Sequence, residues 1–76
     1  MQITVTMHGN LRRFLPAGEA SAVIEVPDGS SAMDVARQLH AQHDIWIAAI
    51  NGTVVTVTTP LAHGDRLECF EAIHGG

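Results

Sequence analysis

The sequence predicts an α+β fold, in which one main α-helix packs on one face of a sheet of four to five β-strands. Two segments, residues 2–8 and 21–26, alternate between apolar and polar side chains, which is typical of half-buried strands. Residues 45–50 form a continuous apolar run of strand length, and residues 31–39 carry apolar side chains at helical spacing. A single helix and several strands form a stable domain when the helix covers one face of the sheet.

The first strand and the connection after it are predicted from residues 2–20. Three alternating apolar residues define the inward face of the strand: Ile3, Val5 and Met7. In the connection, Asn10 is predicted to cap a short helical turn, because asparagine side chains accept hydrogen bonds from free amides at a helix start. The apolar residues of this turn follow at i, i+3 and i+4: Leu11, Phe14 and Leu15. Pro16 and Gly18 are predicted to end it.

The second strand leads through a turn into the helix. Its predicted inward residues are Ala22, Ile24 and Val26. Pro27-Asp28-Gly29 has the composition of a turn. Ser31 and Asp34 occupy the positions of a capping box, with Asp in place of the usual Glu. A stripe of four apolar residues predicts a helix of about three turns: Ala32, Val35, Ala36 and Leu39.

A hairpin and a last strand complete the chain. Asn51-Gly52 favours a type I′ turn, which makes residues 53–55 the return strand. His63-Gly64-Asp65 is predicted to be a turn in which Gly64 has a positive φ. The last strand is predicted at residues 66–73, with three apolar members, Leu67, Cys69 and Phe70. The predicted element order is therefore β-β-α-β-β-β.

Length and charge narrow the classes of function. A chain of 76 residues suits one domain with little room for an enclosed cleft, and no Ser-His-Asp or paired-carboxylate arrangement is visible. The formal net charge of −4 and the lack of a basic cluster argue against nucleic-acid binding. No apolar run approaches the roughly 20 residues that span a bilayer, and the N-terminus lacks a signal-peptide pattern. We expect a cytoplasmic protein that does not bind membranes and is monomeric when free.

Three residue counts bear on chemistry. The five histidines are scattered, whereas a zinc site needs three or four convergent ligands, so we expect no metal site. Cys69 is the single cysteine, which excludes an intramolecular disulfide, and its position in a strand predicts a buried, inert thiol. All four basic residues are arginines. Without lysine, the chain has no side-chain amine that could capture an activated acyl group.

The sequence ends on Gly75-Gly76. Glycine has no Cβ, so such an end could be threaded into a narrow channel and present the Gly76 carboxylate. Chain ends are also often small and disordered without any function. Both interpretations are open from these two residues alone. We expect one domain over residues 1–76 with a flexible Gly-Gly tail.

Five segments in order indicate a family: GNLRRFLP, VPDGSSAMDV, AINGTVV, PLAHGDRLECF and EAIHGG. The chain resembles the ubiquitin-like bacterial sulfur carriers, which include the small subunit of molybdopterin synthase (MoaD) and the thiamine sulfur carrier (ThiS). The resemblance covers essentially the whole chain. It implies a ubiquitin-like β-grasp fold, in which the first and last strands pair in parallel within a mixed β-sheet.

The resemblance implies a sulfur carrier rather than an enzyme, with no catalytic residue in this chain. In the family, an E1-like adenylyltransferase adenylates the terminal carboxylate with ATP and Mg²⁺, and a sulfur donor then converts it to a thiocarboxylate. Carried onto this chain, the reacting group is the carboxylate of Gly76, and Gly75 allows close passage of the tail. The carrier binds no cofactor itself. The implied sulfur acceptor is a synthase, either the large molybdopterin synthase subunit or thiazole synthase.

Partners of this kind require a docking face, and exposed apolar patches on small monomers often mark one. The candidate docking residues lie near the C-terminus, on outward members of strands three to five and among the arginines: Phe70, Ile73, His74, Val55 or Val57, Arg12, Arg13 and Arg66.

The pathway and two other classes of function are open. GNLRRFLP and the length resemble the molybdopterin type, which we favour. FEAIHGG resembles the thiamine type, since the molybdopterin type commonly has two prolines in place of Glu71-Ala72, and His74 stands where a small residue is usual. A carrier for another thio-metabolite or for tRNA thiolation is also open. Outside sulfur transfer, the chain could be a ubiquitin-like protein modifier or a non-catalytic interaction domain.

Overall fold

The computed structural model describes residues 1–71, which contain a five-stranded sheet, one α-helix and two short 3-10 helices. The strands are β1 Gln2–Met7, β2 Ser21–Glu25, β3 Ile45–Ile50, β4 Thr53–Val55 and β5 Arg66–Glu71. The helix α1 spans Ala32–Gln38, and the 3-10 helices η1 (Gly9–Phe14) and η2 (Pro16–Gly18) connect β1 to β2. No helix within these 71 residues is long and apolar enough to cross a membrane.

The sheet is mixed, with strand order β2-β1-β5-β3-β4. The first and last strands are parallel neighbours, so that Val5 lies opposite Leu67 and Met7 opposite Cys69. The β1–β2, β3–β4 and β3–β5 pairs are antiparallel. This central parallel pair, with one helix on one face of the sheet, is the β-grasp arrangement. The predicted fold class and element order are confirmed.

One face of the sheet, which we call the covered face, packs against α1 and η1. Its largest fully buried side chains come from β1, η1, α1 and β5: Ile3, Val5, Met7, Leu11, Val35, Leu67 and Cys69. Ala22 and Ile24 of β2 are partly buried against the same core. The alternation in the sequence therefore predicted correctly which side chains of β1 and β2 face inward. The opposite side of the sheet, the open face, has no helix against it within residues 1–71.

The helix starts as predicted and ends early. Ser31 Oγ accepts the amide of Asp34 at 3.3 Å, and the Asp34 carboxylate accepts the amide of Ser31 at 3.0 Å, which is a capping box. The helix has seven residues, about two turns rather than three. It stops because Leu39 leaves the helical conformation and His40 has a φ of 61°, a left-handed geometry that ends many helices.

Two turn predictions are confirmed and one capping prediction is wrong. Asn51 and Gly52 both have positive φ, as a type I′ turn requires, and Gly64 has a φ of 85°. Asn10 does not cap η1, because Gly9, with a φ of 61°, turns the chain one residue earlier and leaves His8 at the cap position. The last strand is described to Glu71, and residues 72 and 73 of the predicted strand lie outside the described residues.

Candidate functional site

The open face changes character across the sheet. Toward β1 and β2 it is mainly polar, and the Thr6 and Ser21 hydroxyls share a hydrogen bond of 2.8 Å. Toward the end of β5 it becomes apolar. We call this apolar region the open-face patch, and it consists of His8, Trp46, Ile47, Val54 and Phe70. These residues line a groove of about 440 Å³, with Gly9 and Glu71 at its edge.

The open-face patch exposes large apolar side chains to solvent. Trp46 is 63% exposed, Val54 69% and Ile47 40%. Such a concentration on a domain of this size is a feature of surfaces that bind partners, because isolated soluble domains usually bury large apolar groups. Tryptophan is also among the residues that contribute most to binding energy at protein interfaces. The patch is therefore the candidate docking site of this chain.

A β-bulge gives the patch its tryptophan. Ile45 lies opposite Glu71 and Ile47 lies opposite Phe70, so β3 has one extra residue, Trp46, relative to β5. Consecutive side chains in a regular strand point to opposite faces, but a bulge redirects a side chain. Trp46 and Ile47 can therefore both line the groove although they are neighbours in the sequence.

The ring of Phe70 is supported from the side of β1. The His8 and Phe70 rings are stacked, with centroids 4.4 Å apart and an angle of 3° between their planes. His8 Nε2 lies 2.9 Å from Glu68 Oε2, within hydrogen-bond distance. This contact fixes the plane of the imidazole, which in turn limits the positions open to the phenyl ring. The aromatic side of the groove is thus preformed before any partner binds.

A second, polar concavity lies on the other side of Glu71 and contains the arginines of η1. Arg12 Nε donates to the Gly18 carbonyl at 3.2 Å. Arg13 Nη1 donates to the Asn10 carbonyl at 2.6 Å, its Nη2 donates to Asp44 Oδ1 at 3.3 Å, and its guanidinium lies 4.3 Å from the Phe14 ring centroid. Both arginines are therefore held in place by contacts within the domain, near the end of β5.

The structure brings together some of the predicted docking residues and separates others. Phe70 lies in the open-face patch, and Arg12 and Arg13 line the adjacent concavity. Arg66 is four residues before Phe70 on β5, about 13 Å away along the strand, so it does not join them. Ile73 and His74 lie outside the described residues, as do Gly75 and Gly76.

The outward orientation predicted for Val55 and Val57 is wrong. Val55 lies opposite Ala48, a fully buried residue, so it points to the covered face. Val57 packs against the hydrophobic core. Val54 is the outward residue of β4 instead. The two-residue turn does specify that Val54 pairs with Ala49 and Val55 with Ala48, but two adjacent alanines do not indicate which of them faces the core.

Cys69 and the histidines add no reactive centre to this site. Cys69 is fully buried, as predicted, and burial raises the pKa of its thiol to about 12. Among residues 1–71, no three histidine, cysteine, aspartate or glutamate side chains converge in a way that could hold a metal ion.

Comparisons with solved structures agree with the fold. Small archaeal modifier protein 1 of Haloferax volcanii matches with a TM-score of 0.74 at 17% identity, over 95% of this chain and 98% of that chain. A putative molybdopterin converting factor, subunit 1, from Pyrococcus furiosus matches with a TM-score of 0.73 at 21% identity, over 95% of this chain and 98% of that chain. A chain from the complex of subunits 1 and 2 of molybdopterin-converting factor from Helicobacter pylori matches with a TM-score of 0.63 at 19% identity, over the full length of both chains.

The family comparison goes further than the fold. No curated protein matches the sequence. The model of the ThiS family, however, matches residues 5–76, which is nearly the whole chain. The matched range contains the second half of β1, all of β2 to β5, both sides of the groove and the Gly75-Gly76 pair. The protein thus belongs to the ThiS family of small ubiquitin-like sulfur carriers.

Proposed function

We propose that the Gly76 carboxylate is adenylated by an E1-like enzyme and then converted to a thiocarboxylate that donates sulfur. The observation that supports this most is the ThiS family match, which extends through Gly76. A carboxylate is a poor electrophile, whereas the acyl-adenylate has AMP as a leaving group. A sulfur nucleophile forms the C–S bond as the bond to AMP breaks. The activating enzyme supplies ATP and Mg²⁺, and we place this ATP-dependent step in the cytoplasm.

The carrier contributes recognition and reach to this reaction. The open-face patch borders Glu71, the fifth residue before Gly76. Five residues span at most roughly 17 Å when extended. A partner that docks on the patch would therefore need its reactive centre within about that distance of the end of β5. Gly75, which lacks a Cβ, is proposed to allow close passage of the backbone at the partner's active site.

Within sulfur transfer, we propose molybdopterin biosynthesis as the pathway. The η1 segment, GNLRRF, corresponds to the insertion that resembles the molybdopterin type, and it forms the polar concavity beside Glu71. The fold likeness to a molybdopterin-converting factor subunit seen in complex with a second subunit supports a synthase partner. Glu71-Ala72 favours the second candidate, the thiazole pathway, because the molybdopterin type commonly has two prolines there.

Intact mass spectrometry tests the sulfur-carrier proposal. Co-expression with the activating enzyme of the same genome is expected to exchange one oxygen of the chain for sulfur. A variant that lacks Gly75 and Gly76 serves as the control and should show no exchange. The proposal fails if the full chain stays unchanged with every such enzyme of the genome. The thiocarboxylate form is then incubated with a large molybdopterin synthase subunit and, separately, with a thiazole synthase. The enzyme that consumes the sulfur identifies the pathway.

A protein modifier is a third candidate, favoured by the fold likeness to small archaeal modifier protein 1. Since this chain has no lysine, a modifier of this sequence could not extend into chains through its own side chains. Gly-Gly remnants on lysines of other proteins in cell digests would support this candidate. Digests without such remnants, under both resting and stress conditions, would count against it.

A further inference from the structure

We infer that Glu71 is a positioning residue for the proposed activation, because its side chain ties the last described residue of β5 to η1. The inference rests on the proposed function, since it concerns how the Gly76 carboxylate is presented to the activating enzyme. It concerns neither the docking surface nor the chemistry of that enzyme.

β5 extends further than its parallel neighbour. The His8 amide donates to the Cys69 carbonyl at 3.1 Å, and at Gly9 the chain turns away into η1. Beyond Cys69, the described backbone pairing of β5 is with β3 alone, where Glu71 lies opposite Ile45. A strand end paired on one side is less restrained than one paired on both. Toward η1, the last two described residues of β5 therefore have no strand pairing among the described residues.

The Glu71 side chain provides a link toward η1. Its Oε1 accepts the backbone amide of Asn10 at 3.2 Å. Asn10 is held from its other side, because Arg13 Nη1 donates to the Asn10 carbonyl at 2.6 Å and Arg13 Nη2 donates to Asp44 Oδ1 at 3.3 Å. The carboxylate thus takes the place that a backbone carbonyl of β5 would occupy opposite a longer β1, as the Cys69 carbonyl does opposite the His8 amide. We call the contact between Glu71 and Asn10 the exit clasp.

Gly9 leaves the space that the exit clasp uses. A Cβ built on Gly9 would lie 2.6 Å from Glu71 Oε1, closer than non-bonded atoms normally approach. A side chain at Gly9 would therefore displace the carboxylate, in addition to the strain at its φ of 61°. Gly18 has a similar φ of 66° but no atom within 4 Å of a built Cβ. It therefore offers a matched control for the backbone strain alone.

The exit clasp should affect turnover more than binding. The open-face patch would bring the partner to the domain, whereas the position of Glu71 sets the starting point from which Gly76, five residues later, reaches the reactive geometry. Misplacement of a reacting group by about 1 Å can cost roughly a hundredfold in rate. Because five residues separate Glu71 from Gly76, we expect a smaller loss, on the order of tenfold in kcat, with the KM for the carrier little changed.

Four variants test the inference: Glu71→Ala, Glu71→Gln, Gly9→Ala and Gly18→Ala. Glutamine keeps an acceptor oxygen, so E71Q should behave like the unchanged chain. Steady-state ATP–pyrophosphate exchange by the activating enzyme, with carrier concentration varied, gives kcat and KM separately. E71A and G9A are expected to lower kcat about tenfold, with KM within about twofold. G18A should leave both unchanged, even if it destabilises the fold slightly.

Hydrogen exchange at the Asn10 amide provides a readout that does not depend on any enzyme. E71A and G9A should accelerate the exchange of this amide by about tenfold, because the loss of one modest hydrogen bond changes an opening equilibrium by about that factor. E71Q and G18A should leave the exchange rate unchanged. Unchanged Asn10 exchange in E71A would overturn the clasp itself. Faster Asn10 amide exchange in E71A with an unchanged kcat would overturn the positioning role of the clasp. A kcat for E71Q as low as that of E71A would overturn it as well. If the unchanged chain supports no pyrophosphate exchange, the proposed function fails, while the amide exchange still decides whether the clasp exists.

Discussion

The two faces of β5 differ although they belong to the same six residues. On the covered face, Leu67 and Cys69 are fully buried and belong to the core. On the open face, Phe70 stacks on His8 and borders a groove whose tryptophan and valine are mostly exposed. Burial of an apolar side chain stabilises the folded chain whether or not a partner is present, whereas an exposed one gains only on binding. The covered face therefore contributes stability, and the open face is the candidate surface for recognition.

The largest expected difference concerns the reactivity of Cys69. Burial raises the pKa of its thiol from 9.0 to about 12, so the reactive thiolate should be about a thousandfold scarcer in the folded chain than in the unfolded chain. Iodoacetamide at about pH 8 should label the urea-unfolded chain and leave the folded chain unlabelled, as followed by intact mass. Equal labelling rates in the two states would show that the covered face is open to solvent near Cys69.

Truncation of the two faces should separate stability from binding. Leu67→Ala is expected to lower the free energy of unfolding by about 2–5 kcal/mol, because it leaves a cavity in the core. Phe70→Ala should cost clearly less, because the ring is only partly buried, and should mainly weaken partner binding. Urea unfolding of both variants measures the loss in the free energy of unfolding. Equal losses of stability would contradict the division between the faces.

Two exposed valines on the open face allow a matched test of the patch. Val54, on β4 beside the groove, is 69% exposed, and Val23, on β2 at the other edge of the sheet, is 65% exposed. Val54→Asp is expected to weaken binding of the activating enzyme by about tenfold or more, since it places a charge in an apolar contact. Val23→Asp should change the affinity for the same enzyme by no more than about twofold. Calorimetric or interferometric titration measures both, and similar losses in the two variants would remove the patch as the docking site.

The smallest effect is expected at the start of α1, on the covered side of the sheet. Ser31→Ala removes the hydroxyl that accepts the Asp34 amide and should cost about 1 kcal/mol in the free energy of unfolding. Guanidinium unfolding measures this cost. Arg37→Ala removes only the 3.4 Å contact to Asp34 and serves as a control of smaller effect. A larger loss for R37A than for S31A would contradict the capping role.

The same cap gives a pH dependence of known sign. The backbone amide and then the hydroxyl of Ser31 lower the pKa of Asp34 below its ordinary value of 3.8. A carboxyl with a lowered pKa in the folded state stabilises the fold above 3.8, and this stabilisation is lost as pH falls through the lower folded value. Asp34→Asn should therefore show a weaker acid dependence of stability than the unchanged chain. Parallel curves of unfolding free energy against pH for the two chains below pH 3.8 would contradict this role of Asp34.

Local patterns in the sequence determined most of the secondary structure. The alternation of Ile3, Val5 and Met7, the Ser31–Asp34 cap and the Asn51-Gly52 turn all depend on residues a few positions apart. Such interactions are encoded where they act, so they can be predicted from a single chain. The early end of α1 and the start of η1 at Gly9 were not predicted, because φ at His40 and Gly9 is set by the packing that follows.

The candidate docking surface was decided by the tertiary structure. Phe70 could be nominated from the sequence, but Trp46, Ile47 and Val54 join it only through the bulge in β3 and the orientation of the hairpin. Likewise, the Glu71–Asn10 contact links residues 61 positions apart. The sequence by itself determined the elements, the buried thiol, the absence of lysine and the Gly75-Gly76 pair. Which side chains share a surface depends on strand register and pairing, and these follow from the packing of the whole domain rather than from neighbouring residues.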